Sequence, residues 1–405
     1  MSVNGIPRTT LAPGWRPAGW SDTEAVTAGT HDLDAADQLA AVDLDGLAAV
    51  DLDRLRAAVA GALEGFLATQ RRTLTGMDAA LAAITEEMSA LARGGKRLRP
   101  AFAYWGWRGA TGDGTGPAED ETAVLRAVAA LELVHVSALV HDDVMDGAAT
   151  RRGRPATHLG FATRHDEHAL DGDSAAFGVG AAILVGDLAL VWSDELLRCS
   201  GLTPAALTRA RGVWDTMRTE VTAGQYLDLL RAAGGLPGPD GALTVARYKS
   251  AGYTVQRPLQ LGAAIAGAGP RMFEAYSAIG LPLGEAFQLR DDVLGVFGDP
   301  EVTGKSVDDD LREGKQTLLI ALAELEADEP GRELLHEALG NPDADDEQFD
   351  ALRHLIDSTG ARARVEERIT ERTDQARAAI AAAPVSEDAR AALDALAVAA
   401  TTRTA

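Results

Sequence analysis

The segment HDDVMD, at residues 141–146, ends a long stretch that is rich in alanine, leucine and valine. Such a stretch, with few turn-forming residues, indicates a helix. On a helix, residues four positions apart share a face, so Asp142 and Asp146 point in the same direction. A second acidic segment, QLRDDVLG at residues 288–295, also ends an apolar helical stretch. The chain therefore presents carboxylates at the ends of two predicted helices.

These two acidic segments predict metal binding. Crowded carboxylates on one helix repel each other unless a cation lies between them. Oxygen ligands in small numbers suit Mg²⁺, which keeps several waters and completes its shell with substrate phosphates. A solvated acidic face is the alternative, and for one segment alone it is the better interpretation. Two such segments, each within an apolar helix, favour a pair of metal sites that together hold a diphosphate.

Positive charge is concentrated in two short segments of an otherwise acidic chain. The formal net charge of −23 and the isoelectric point of about 4.7 argue against a general anion binder or a nucleic-acid-binding protein. The segments are GGKRLRP at residues 94–100 and RRGRP at residues 151–155. Lys96 and Arg99 are three residues apart and converge if their segment is helical. Arginine forks and lysine charges match phosphate oxygens, which favours phosphate binding over two basic surface patches.

Together these segments resemble the trans-isoprenyl diphosphate synthases, or polyprenyl synthetases, the family that includes farnesyl and geranylgeranyl diphosphate synthases. The resemblance covers roughly residues 50–380, and the motifs follow the family's order. They are GGKRLRP at 94–100, ELVH at 132–135, HDDVMD at 141–146, RRGRP at 151–155 with His158, GQYLDL at 224–229, Lys249-Ser250, FQLRDD at 287–292, TGK at 303–305 and GKQT at 314–317. One DDxxD motif is a weak signal, whereas the ordered set is specific.

The resemblance implies a Mg²⁺-dependent enzyme that condenses isopentenyl diphosphate with an allylic diphosphate, with three metal ions present when substrate is bound. The metal ligands, which with Lys249 form the catalytic set, would be Asp142, Asp143, Asp146, Asp291 and Asp292. The allylic diphosphate would be bound by Arg151, Lys249, Gln288, Lys305 and Lys315. Isopentenyl diphosphate would be bound by Lys96, Arg99, His135 and Arg152. The spacing agrees with this division, because His135 lies two helical turns before Asp142 and faces the same side.

Three positions depart from the family pattern. Gly295 stands where many relatives have the third aspartate of the second acidic segment. We expect metal binding there to survive on two carboxylates, and Asp299 lies too far along the chain to act from the same turn. Ala156 replaces the usual threonine after the proline of RRGxP. Ser250 replaces the threonine of the family's Lys-Thr pair but keeps the hydroxyl, so it stays among the substrate-binding candidates.

Composition favours helices over strands. Hydrophobic residues make up 46% of the 405 residues but aromatic residues only 5%, and alanine and leucine dominate. We find no alternating strand pattern, so the prediction is an all-α bundle around a central cavity, and the resemblance makes it a bundle of the isoprenoid-synthase type. Residues 1–50 are predicted to be a flexible acidic N-terminal extension. Residues 51–405 are predicted to be a single catalytic domain, because no linker divides the motifs.

Several features predict a cytoplasmic protein with no membrane span. Cys199 is the sole cysteine, so no internal disulfide can form. Residues 1–20 lack the apolar core of a signal peptide. The longest apolar run, 177–192, is interrupted by Asp187 and is shorter than a membrane span. A homodimer is expected, on the resemblance alone.

The length of the product depends on the residues just before the first acidic segment. Ser137 and Ala138 lie one turn before Asp142, where the growing chain would extend from the bound diphosphate. The resemblance implies that bulky aromatic residues near these positions stop the product at C15. Small residues therefore predict a longer product, with C20 geranylgeranyl diphosphate expected and a longer polyprenyl product left open. The small pair could instead serve close helix packing.

Two other classes of protein share parts of this pattern. A class I terpene cyclase has the same fold and the first aspartate cluster, but it typically carries an Asn/Ser/Glu metal triad and lacks the segments GGKRLRP and RRGxP. A non-catalytic partner subunit of a prenyl synthase usually loses aspartates from the first cluster. This chain keeps the basic segments and the first cluster, so a prenyl diphosphate synthase is the preferred interpretation.

Overall fold

A computed structural model of the protein describes residues 52–111, 119–298, 308–341 and 343–401, and these residues are almost entirely helical. The α-helices, in chain order, are α1 (Leu52–Met77), α2 (Ala82–Ala92), α3 (Leu98–Ala110), α4 (Glu121–Asp146), α5 (Thr157–Glu167), α6 (Ser174–Arg198), α7 (Pro204–Ala232), α8 (Gly238–Val245), α9 (Arg257–Ala266), α10 (Pro270–Phe297), α11 (Asp309–Arg312), α12 (Leu318–Glu326), α13 (Glu329–Ala338), α14 (Asp346–Ser358), α15 (Ala361–Ala382) and α16 (Glu387–Thr401). The all-α prediction is confirmed. The predicted extension, residues 1–50, lies outside the described residues.

Three short elements interrupt this helical pattern. A 3₁₀ turn, Ala79–Leu81, precedes α2. A π-helical segment, Ala246–Gln256, joins α8 directly to α9. Strands β1 (Thr150–Arg151) and β2 (Arg154–Pro155) form a small antiparallel hairpin. The sequence did not predict this hairpin, because strands of two residues are too short to show an alternating pattern.

The backbone conformation of the hairpin turn accounts for the glycine at residue 153. Its two central residues, Arg152 and Gly153, have φ angles of 55° and 71°. A two-residue hairpin loop of this kind needs positive φ at both positions, which glycine adopts freely and arginine adopts only under local constraint. The hairpin therefore holds Arg151 and Arg152, the first two arginines of RRGRP, in a fixed arrangement just after α4.

Helix α4 is the central helix of the fold. The side chain of Asp120 caps its first turn by accepting a hydrogen bond from the backbone N–H of Ala123, and Gly147 ends it with a φ of 66°. Eight successive residues, from Ala127 to Val134, are all buried. A helix that is apolar on every side is enclosed by other helices. The first acidic segment therefore lies at the end of a helix whose middle is fully enclosed.

Apolar side chains form two cores. The larger core contains side chains from every helix between α1 and α7, from α9 and α16, and from parts of the π-helical segment, α10 and α15. The smaller core contains side chains from α8, from every helix between α11 and α14, and from the remaining parts of α10 and α15. Along α10, the part from Met272 to Leu283 packs in the larger core, and the part from Ala286 to Val296 packs in the smaller core. The second acidic segment thus lies on the smaller core, and α4 lies on the larger core.

Helix α6 differs from α4 in how well it is covered. Both are long and apolar enough to satisfy the length and composition of a membrane span, but the apolar window of α4 is 78% buried and that of α6 is 28% buried. The exposed apolar residues of α6 are Phe177, Val179, Ile183, Leu184 and Val191. An uncovered apolar face of this size on a helix marks an interaction surface.

Candidate active site

One cavity of about 500 Å³ brings together residues of both acidic and both basic segments. Its walls come from α4, the hairpin, α7, the π-helical segment, α10 and the residues around α11. The predicted site residues that line it are Lys96, Arg99, His135, Ala138, Asp142, Arg151, Arg152, Lys249, Ser250, Gln288, Asp291, Asp292 and Lys315. Asp143, Asp146 and Ser137 are described but do not line it. Lys305 lies outside the described residues.

Asp142 is bound by polar side chains from two neighbouring segments. Its Oδ1 accepts a hydrogen bond of 2.8 Å from Nζ of Lys249 and another of 2.8 Å from Nε2 of Gln225. The same Nζ lies 2.6 Å from Oδ2 of Asp228. Burial would raise the pKa of Asp142, but the attraction and hydrogen bond of Lys249, together with the charges of Lys315 and Arg151, outweigh it and lower that pKa below its usual range. Asp142 is thus ionised at neutral pH, as a metal ligand must be.

A close helix contact places Lys249 next to Asp142. The Cβ of any side chain at Gly224, on α7, would lie 2.4 Å from the backbone nitrogen of Lys249. Only glycine therefore lets α7 and the π-helical segment approach this closely. The π-helical geometry widens the turn that carries Lys249 and Ser250, and such segments often occur at functional sites.

The other two aspartates of the first acidic segment have different environments. Asp143 is buried, and its Oδ1 accepts a 2.8 Å hydrogen bond from Nε of Arg151 and a second, very short one from the same guanidinium. Its Oδ2 is buried with no hydrogen-bond partner among the described residues. Burial raises the pKa of Asp146 to about 6, and repulsion from Asp142 adds to the shift. A cation near Asp142 and Asp146 would stabilise the ionised form of both.

The basic segment at residues 94–100 enters the cavity by a route that the sequence did not predict. Helix α3 begins only at Leu98, and Arg97 has a left-handed backbone with a φ of 51°. Lys96 and Arg99 both line the cavity although their segment is not one continuous helix, the condition under which the sequence predicted that they converge. The Arg97 guanidinium forms a buried ion pair with Glu132 of α4, which anchors this turn.

Arg99 and His135 both contact Tyr253, and we call these three residues the Tyr253 cluster. The guanidinium of Arg99 lies 4.2 Å from the centre of the Tyr253 ring and donates a 3.1 Å hydrogen bond to Oγ1 of Thr254. The Tyr253 hydroxyl lies 2.7 Å from Nδ1 of His135. Burial lowers the pKa of His135 well below its usual value, and Arg99 and Arg152 lower it further. His135 is therefore neutral near pH 7, and it can offer a ligand a hydrogen bond but no charge.

The second acidic segment is less tied to cations. Nε2 of Gln288 donates a 2.7 Å hydrogen bond to Oδ1 of Asp292, one helical turn away. Burial nevertheless raises the pKa of Asp292 to about 7, and repulsion from Asp310 and Asp291 adds to this effect. Arg290, the residue before Asp291, points away from the cavity and donates two hydrogen bonds of 2.7 Å to the carboxylate of Glu366 on α15. The contact between Arg290 and Glu366 on the opposite face of α10 thus holds Asp291 and Asp292 toward the cavity.

The donor set fits Mg²⁺ held jointly by protein and diphosphate. Among the described residues, no three His, Cys, Asp or Glu side chains lie together closely enough to hold a metal ion alone. Mg²⁺ commonly takes one or two carboxylates and completes its octahedral shell with waters and substrate phosphates. The cavity offers carboxylates of that kind from α4 and from α10, and the partnerless Oδ2 of Asp143 is a further buried acceptor.

Some cavity residues were not predicted as site residues. Asp228 lies in the quoted motif GQYLDL but was given no role in catalysis or binding, and it lies in the cavity wall and accepts a hydrogen bond from Lys249. Tyr253 and Thr254 follow Lys249-Ser250 by one turn, so the lysine motif could have indicated them. Asp310 also lines the cavity. It lies between two quoted motifs and carries no signal of its own in the sequence.

The described chain is a helical bundle in which one cavity gathers carboxylates and cations from both acidic and both basic segments. The sequence model for the polyprenyl synthetase family matches residues 82–356, and the chain belongs to this family. It is a trans-prenyltransferase, a prenyl diphosphate synthase. This assignment disfavours the terpene cyclase and the non-catalytic subunit that share parts of the sequence pattern.

Individual relatives agree on the class but differ in the product that they are named for. The chain is 32% identical over 268 residues to a geranylfarnesyl diphosphate synthase of Aeropyrum pernix, which covers 65% of this chain and 76% of that protein. It is 34% identical over 272 residues to a (2E,6E)-farnesyl diphosphate synthase of Mycobacterium tuberculosis, with 66% and 68% covered. A crystal structure of geranylgeranyl pyrophosphate synthase from Corynebacterium glutamicum, complexed with isoprenyl diphosphate and magnesium, superposes with a TM-score of 0.84. That structure is 40% identical and covers 87% of this chain and all of its own.

Proposed function

We propose that the enzyme condenses isopentenyl diphosphate with an allylic diphosphate to make C20 geranylgeranyl diphosphate. The observation that carries this proposal is Ala138. It lines the cavity wall one turn before Asp142, and its methyl group leaves room beside the bound diphosphate. The similarity to the geranylgeranyl pyrophosphate synthase of Corynebacterium glutamicum supports the same chain length.

Ser137 contributes less to this proposal than Ala138. It is 4% exposed and does not line the cavity. One turn later on α4, His141 lies against α6, where a Cβ on Gly186 would be 2.2 Å from its Nε2. Helical spacing puts Ser137 on that same side. Ser137 therefore suits close packing of α4 against α6, and the chain-length argument rests on Ala138.

The allylic diphosphate would be held by the cations nearest the aspartates together with one amide. We assign this role to Arg151, Lys249 and Lys315 and to the amide of Gln288, which line one cavity, and to Lys305 on the resemblance alone. In the reaction, the C–O bond of the allylic substrate breaks and pyrophosphate leaves. The cations stabilise the negative charge that develops on the leaving group inside a site that excludes water. Ser250 lies next to Lys249 in the cavity wall and offers a hydroxyl to the same substrate.

Isopentenyl diphosphate would be held by the basic residues on the other side of the Tyr253 cluster. Lys96, Arg99 and Arg152 supply positive charge, and His135 supplies a neutral hydrogen-bonding nitrogen. The diphosphate anchored here positions its double bond to attack the allylic carbon. A new C–C bond forms, and the product loses a proton to restore a double bond.

Mg²⁺, when bound with the diphosphate, would neutralise the leaving group, and we propose three ions held by Asp142, Asp143 and Asp146 on α4 and by Asp291 and Asp292 on α10. Asp142 and Asp146 share one face of α4, which suits a common ion. Asp143 is bonded to Arg151 through Oδ1, so its contribution to a metal shell would come from Oδ2.

Product analysis tests the proposed chain length. Purified protein is incubated with Mg²⁺, isopentenyl diphosphate and each allylic starter, and the products are dephosphorylated and separated by length. We expect C20. Ala138→Phe should block the tunnel and shorten the product toward C15, whereas Ala138→Ser, a small side chain, should leave it unchanged. A wild-type product of C15 alone, or an unchanged product from folded Ala138→Phe, would refute the proposal.

We further propose a cytoplasmic homodimer in which two copies of α6 cover each other. The apolar residues Ile183, Leu184 and Val191 are 43%, 59% and 61% exposed on one chain. A second copy of the same face would remove them from water in a two-fold contact. This contact would also account for the apolar surface of α6 without a membrane.

Light scattering at micromolar concentration tests this assembly. We expect a mass near twice the 42.3 kDa of one chain for the wild type. Leu184→Glu should shift the mass toward one chain, since a charge in an apolar contact is unfavourable. The matched control is Leu325→Glu, on α12, where the leucine is 62% exposed. Monomeric and fully active wild-type enzyme would refute the dimer.

We also propose that residues 51–405 act as one catalytic domain. Helix α10 contributes to both apolar cores, and the cavity draws residues from both. Cooperative unfolding of the two cores in a single calorimetric transition is the expected result. Two separated transitions would instead indicate two domains.

A further inference from the structure

The last turn of α7 carries a buried arginine that binds backbone carbonyls of two other parts of the chain. Arg231 is 4% exposed, and its Nη1 donates hydrogen bonds to the carbonyls of Leu236 and Gly238, the second of them 3.0 Å long. Its Nε donates a hydrogen bond to the carbonyl of Gln316. The first two carbonyls lie in the turn between α7 and α8 and at the start of α8. The third lies in residues 313–317, which join α11 to α12 and which we call the Lys315 segment.

The guanidinium group is well suited to this position. Its N–H donors lie in one rigid plane and can bind carbonyls that belong to different segments, which the ammonium of lysine does less well. Burial lowers the pKa of Arg231, and the charges of Asp228 on α7 and Glu324 on α12 oppose that shift. A buried charge is costly unless its donors bind acceptors, and the three carbonyls meet that requirement.

The turn after α7 gives Arg231 a fixed base. The backbone N–H of Gly234 donates a 2.8 Å hydrogen bond to the carbonyl of Arg231, and Gly234 has a φ of 80°, which favours glycine. A Cβ at Gly241, on α8, would lie 2.3 Å from the backbone oxygen of Leu236. Glycine at this position therefore lets α8 pack directly on the backbone of the turn. The carbonyl of Leu236 is thus a well-fixed acceptor for Arg231.

The Lys315 segment is held on its other side by backbone packing. Gly314 and Gly340 have φ angles of 70° and 74°, and a Cβ at Gly314 would lie 2.8 Å from Cα of Gly340. The backbone N–H groups of these two glycines donate hydrogen bonds of 3.1 Å and 2.8 Å to the carbonyl of Leu311. Lys315 and Gln316 line the cavity. The segment is therefore held between the turn after α13 and the end of α7.

The ammonium of Lys315 is paired within its own part of the chain. Nζ lies 2.8 Å from Oδ1 of Asp310 and 2.8 Å from Oε2 of Glu313. These ion pairs fix the ammonium relative to the neighbouring backbone. The position of that backbone in the cavity depends on contacts with other elements, and the hydrogen bond from Arg231 is one of them.

The same end of α7 also contacts the other lysine of the proposed allylic site. Asp228 lies one turn before Arg231, and its Oδ2 accepts a 2.6 Å hydrogen bond from Nζ of Lys249. Helix α7 thus holds Lys249 through a side-chain carboxylate and the segment of Lys315 through a backbone carbonyl. The two lysines come from the π-helical segment and from the chain after α11, and α7 is the element that contacts both.

We propose that Arg231 is a positioning residue, which holds the Lys315 segment at the cavity before the allylic diphosphate binds. The inference rests on the proposed role of Lys315 in binding that diphosphate. Without Arg231, the carbonyl of Gln316 loses its contact with α7, and the substrate itself has to order the segment. Ordering a mobile segment opposes binding, so the allylic substrate would bind more weakly.

Steady-state kinetics with geranyl diphosphate and isopentenyl diphosphate tests this proposal. Arg231→Met keeps a long side chain but removes every donor. KM for geranyl diphosphate should rise by about tenfold, the effect expected when a charged hydrogen bond is lost. KM for isopentenyl diphosphate should change less than about twofold, since no lost contact reaches that side. Arg231→Lys keeps the charge and some of the donors, so its KM for geranyl diphosphate should lie between those of the wild type and Arg231→Met.

The matched control is Arg209→Met on the same helix. Nε and Nη2 of Arg209 donate hydrogen bonds of 2.8 Å to the carbonyls of Ala264 and Ile265 at the end of α9, and Arg209 does not line the cavity. Its loss should lower the melting temperature but leave both KM values unchanged. If the two methionine variants give the same KM for geranyl diphosphate, Arg231 has only a structural role and the proposal is wrong. An equal rise in both KM values of Arg231→Met would also contradict it.

Hydrogen exchange of the substrate-free enzyme gives a readout besides activity. The backbone N–H of Lys315 donates a 3.0 Å hydrogen bond to the carbonyl of Asp310. In Arg231→Met, the amides of residues 313–317 should exchange at least about tenfold faster than in the wild type, because the segment opens more often. Arg209→Met should leave their exchange unchanged. Unchanged exchange in Arg231→Met would show that other contacts hold the segment, and the proposal would be wrong.

A double-mutant cycle separates this proposal from the role of Lys315. If Arg231 acts through Lys315, Arg231→Met should have no further effect on KM for geranyl diphosphate in a Lys315→Ala background. Additive effects would overturn the proposal while leaving the role of Lys315 intact. An unchanged KM in Lys315→Ala itself would instead refute the assignment of Lys315, and the inference with it. Circular dichroism shows whether each variant is folded, and if Arg231→Met is not, Arg231→Lys takes its place in all three measurements with a smaller effect expected.

Discussion

The two acidic walls of the cavity are built in different ways. On α4, Asp142 is bonded to Lys249 and Asp143 to Arg151, so cations already neutralise the wall. On α10, Asp292 is bonded to the neutral amide of Gln288, and the repulsion of Asp310 and Asp291 acts on it more strongly than the attraction of Lys315. The α4 wall is therefore organised before any metal binds. The α10 wall holds repelling carboxylates that a metal ion would relieve.

The pKa shifts express the same difference. Lys249 lowers the pKa of Asp142, whereas burial raises the pKa of Asp292 to about 7. At neutral pH, Asp142 is ionised and Asp292 is partly protonated. Similar acidic motifs thus differ in the state of their best-placed carboxylate: Asp142 on α4 is ionised without a metal ion, whereas Asp292 on α10, like Asp146 at the end of α4, becomes fully charged when a cation binds.

The largest expected effect is the loss of an aspartate from α4. Asp142→Ala removes a proposed metal ligand and leaves Lys249 with one acidic partner, and Asp143→Ala leaves Arg151 without its buried partner. Turnover should fall at least ~1000-fold in either variant, about 4 kcal/mol of barrier. The measurement is turnover after EDTA treatment and reconstitution with Mg²⁺ or Mn²⁺. Near-normal turnover of either variant would show that the α4 wall does not bind the catalytic metal.

An intermediate effect should separate the two substrates. Lys249→Ala should raise KM chiefly for the allylic diphosphate, whereas Lys96→Ala and Arg99→Ala should raise it chiefly for isopentenyl diphosphate. Each lost phosphate contact should change KM by ~10-fold to ~100-fold, as for other charged hydrogen bonds. The constants are measured for each substrate with the other saturating. Equal effects of all three variants on both substrates would remove the division of the cavity.

The smallest effect concerns protonation of the two walls in the metal-free enzyme. Carbon-13 NMR of labelled aspartate should show one carboxyl that titrates near pH 7, and Asp292→Asn should remove that signal. Asp142 should stay ionised through this range. Addition of Mg²⁺ with pyrophosphate should lower the pKa of Asp292, because a cation favours the charged form. A pKa of Asp292 near 4 without metal would abolish the proposed difference between the walls.

Much of this arrangement could be predicted from the sequence because it is local. The positions of Asp142 and His135 on one face of α4 follow from helical period alone, and both line the cavity. The all-α fold likewise follows from composition and the scarcity of strand patterns. The roles of the individual side chains came from the ordered motifs.

Other features depend on contacts between distant segments, which no local pattern encodes. The π-helical segment 246–256 has no residue signature, although it orients Lys249. The sequence did not predict the left-handed turn at Arg97, because arginine rarely adopts a positive φ. In the fold, the buried ion pair with Glu132 stabilises this turn, and the two residues are distant in the sequence. The close approach of Asp310 to Gly295 likewise joins two segments that are distant in the sequence, so it is visible only in three dimensions.

The most direct test is a crystal structure of the enzyme with Mg²⁺, isopentenyl diphosphate and a non-reactive analogue of the allylic diphosphate. The account predicts metal ions bound to Asp142 on α4 and to Asp291 or Asp292 on α10, with the analogue's diphosphate between them. Lys315 should contact that diphosphate while it remains bonded to Asp310. Metal on the α4 wall alone, or a diphosphate bound without contact to the α10 wall, would contradict the account.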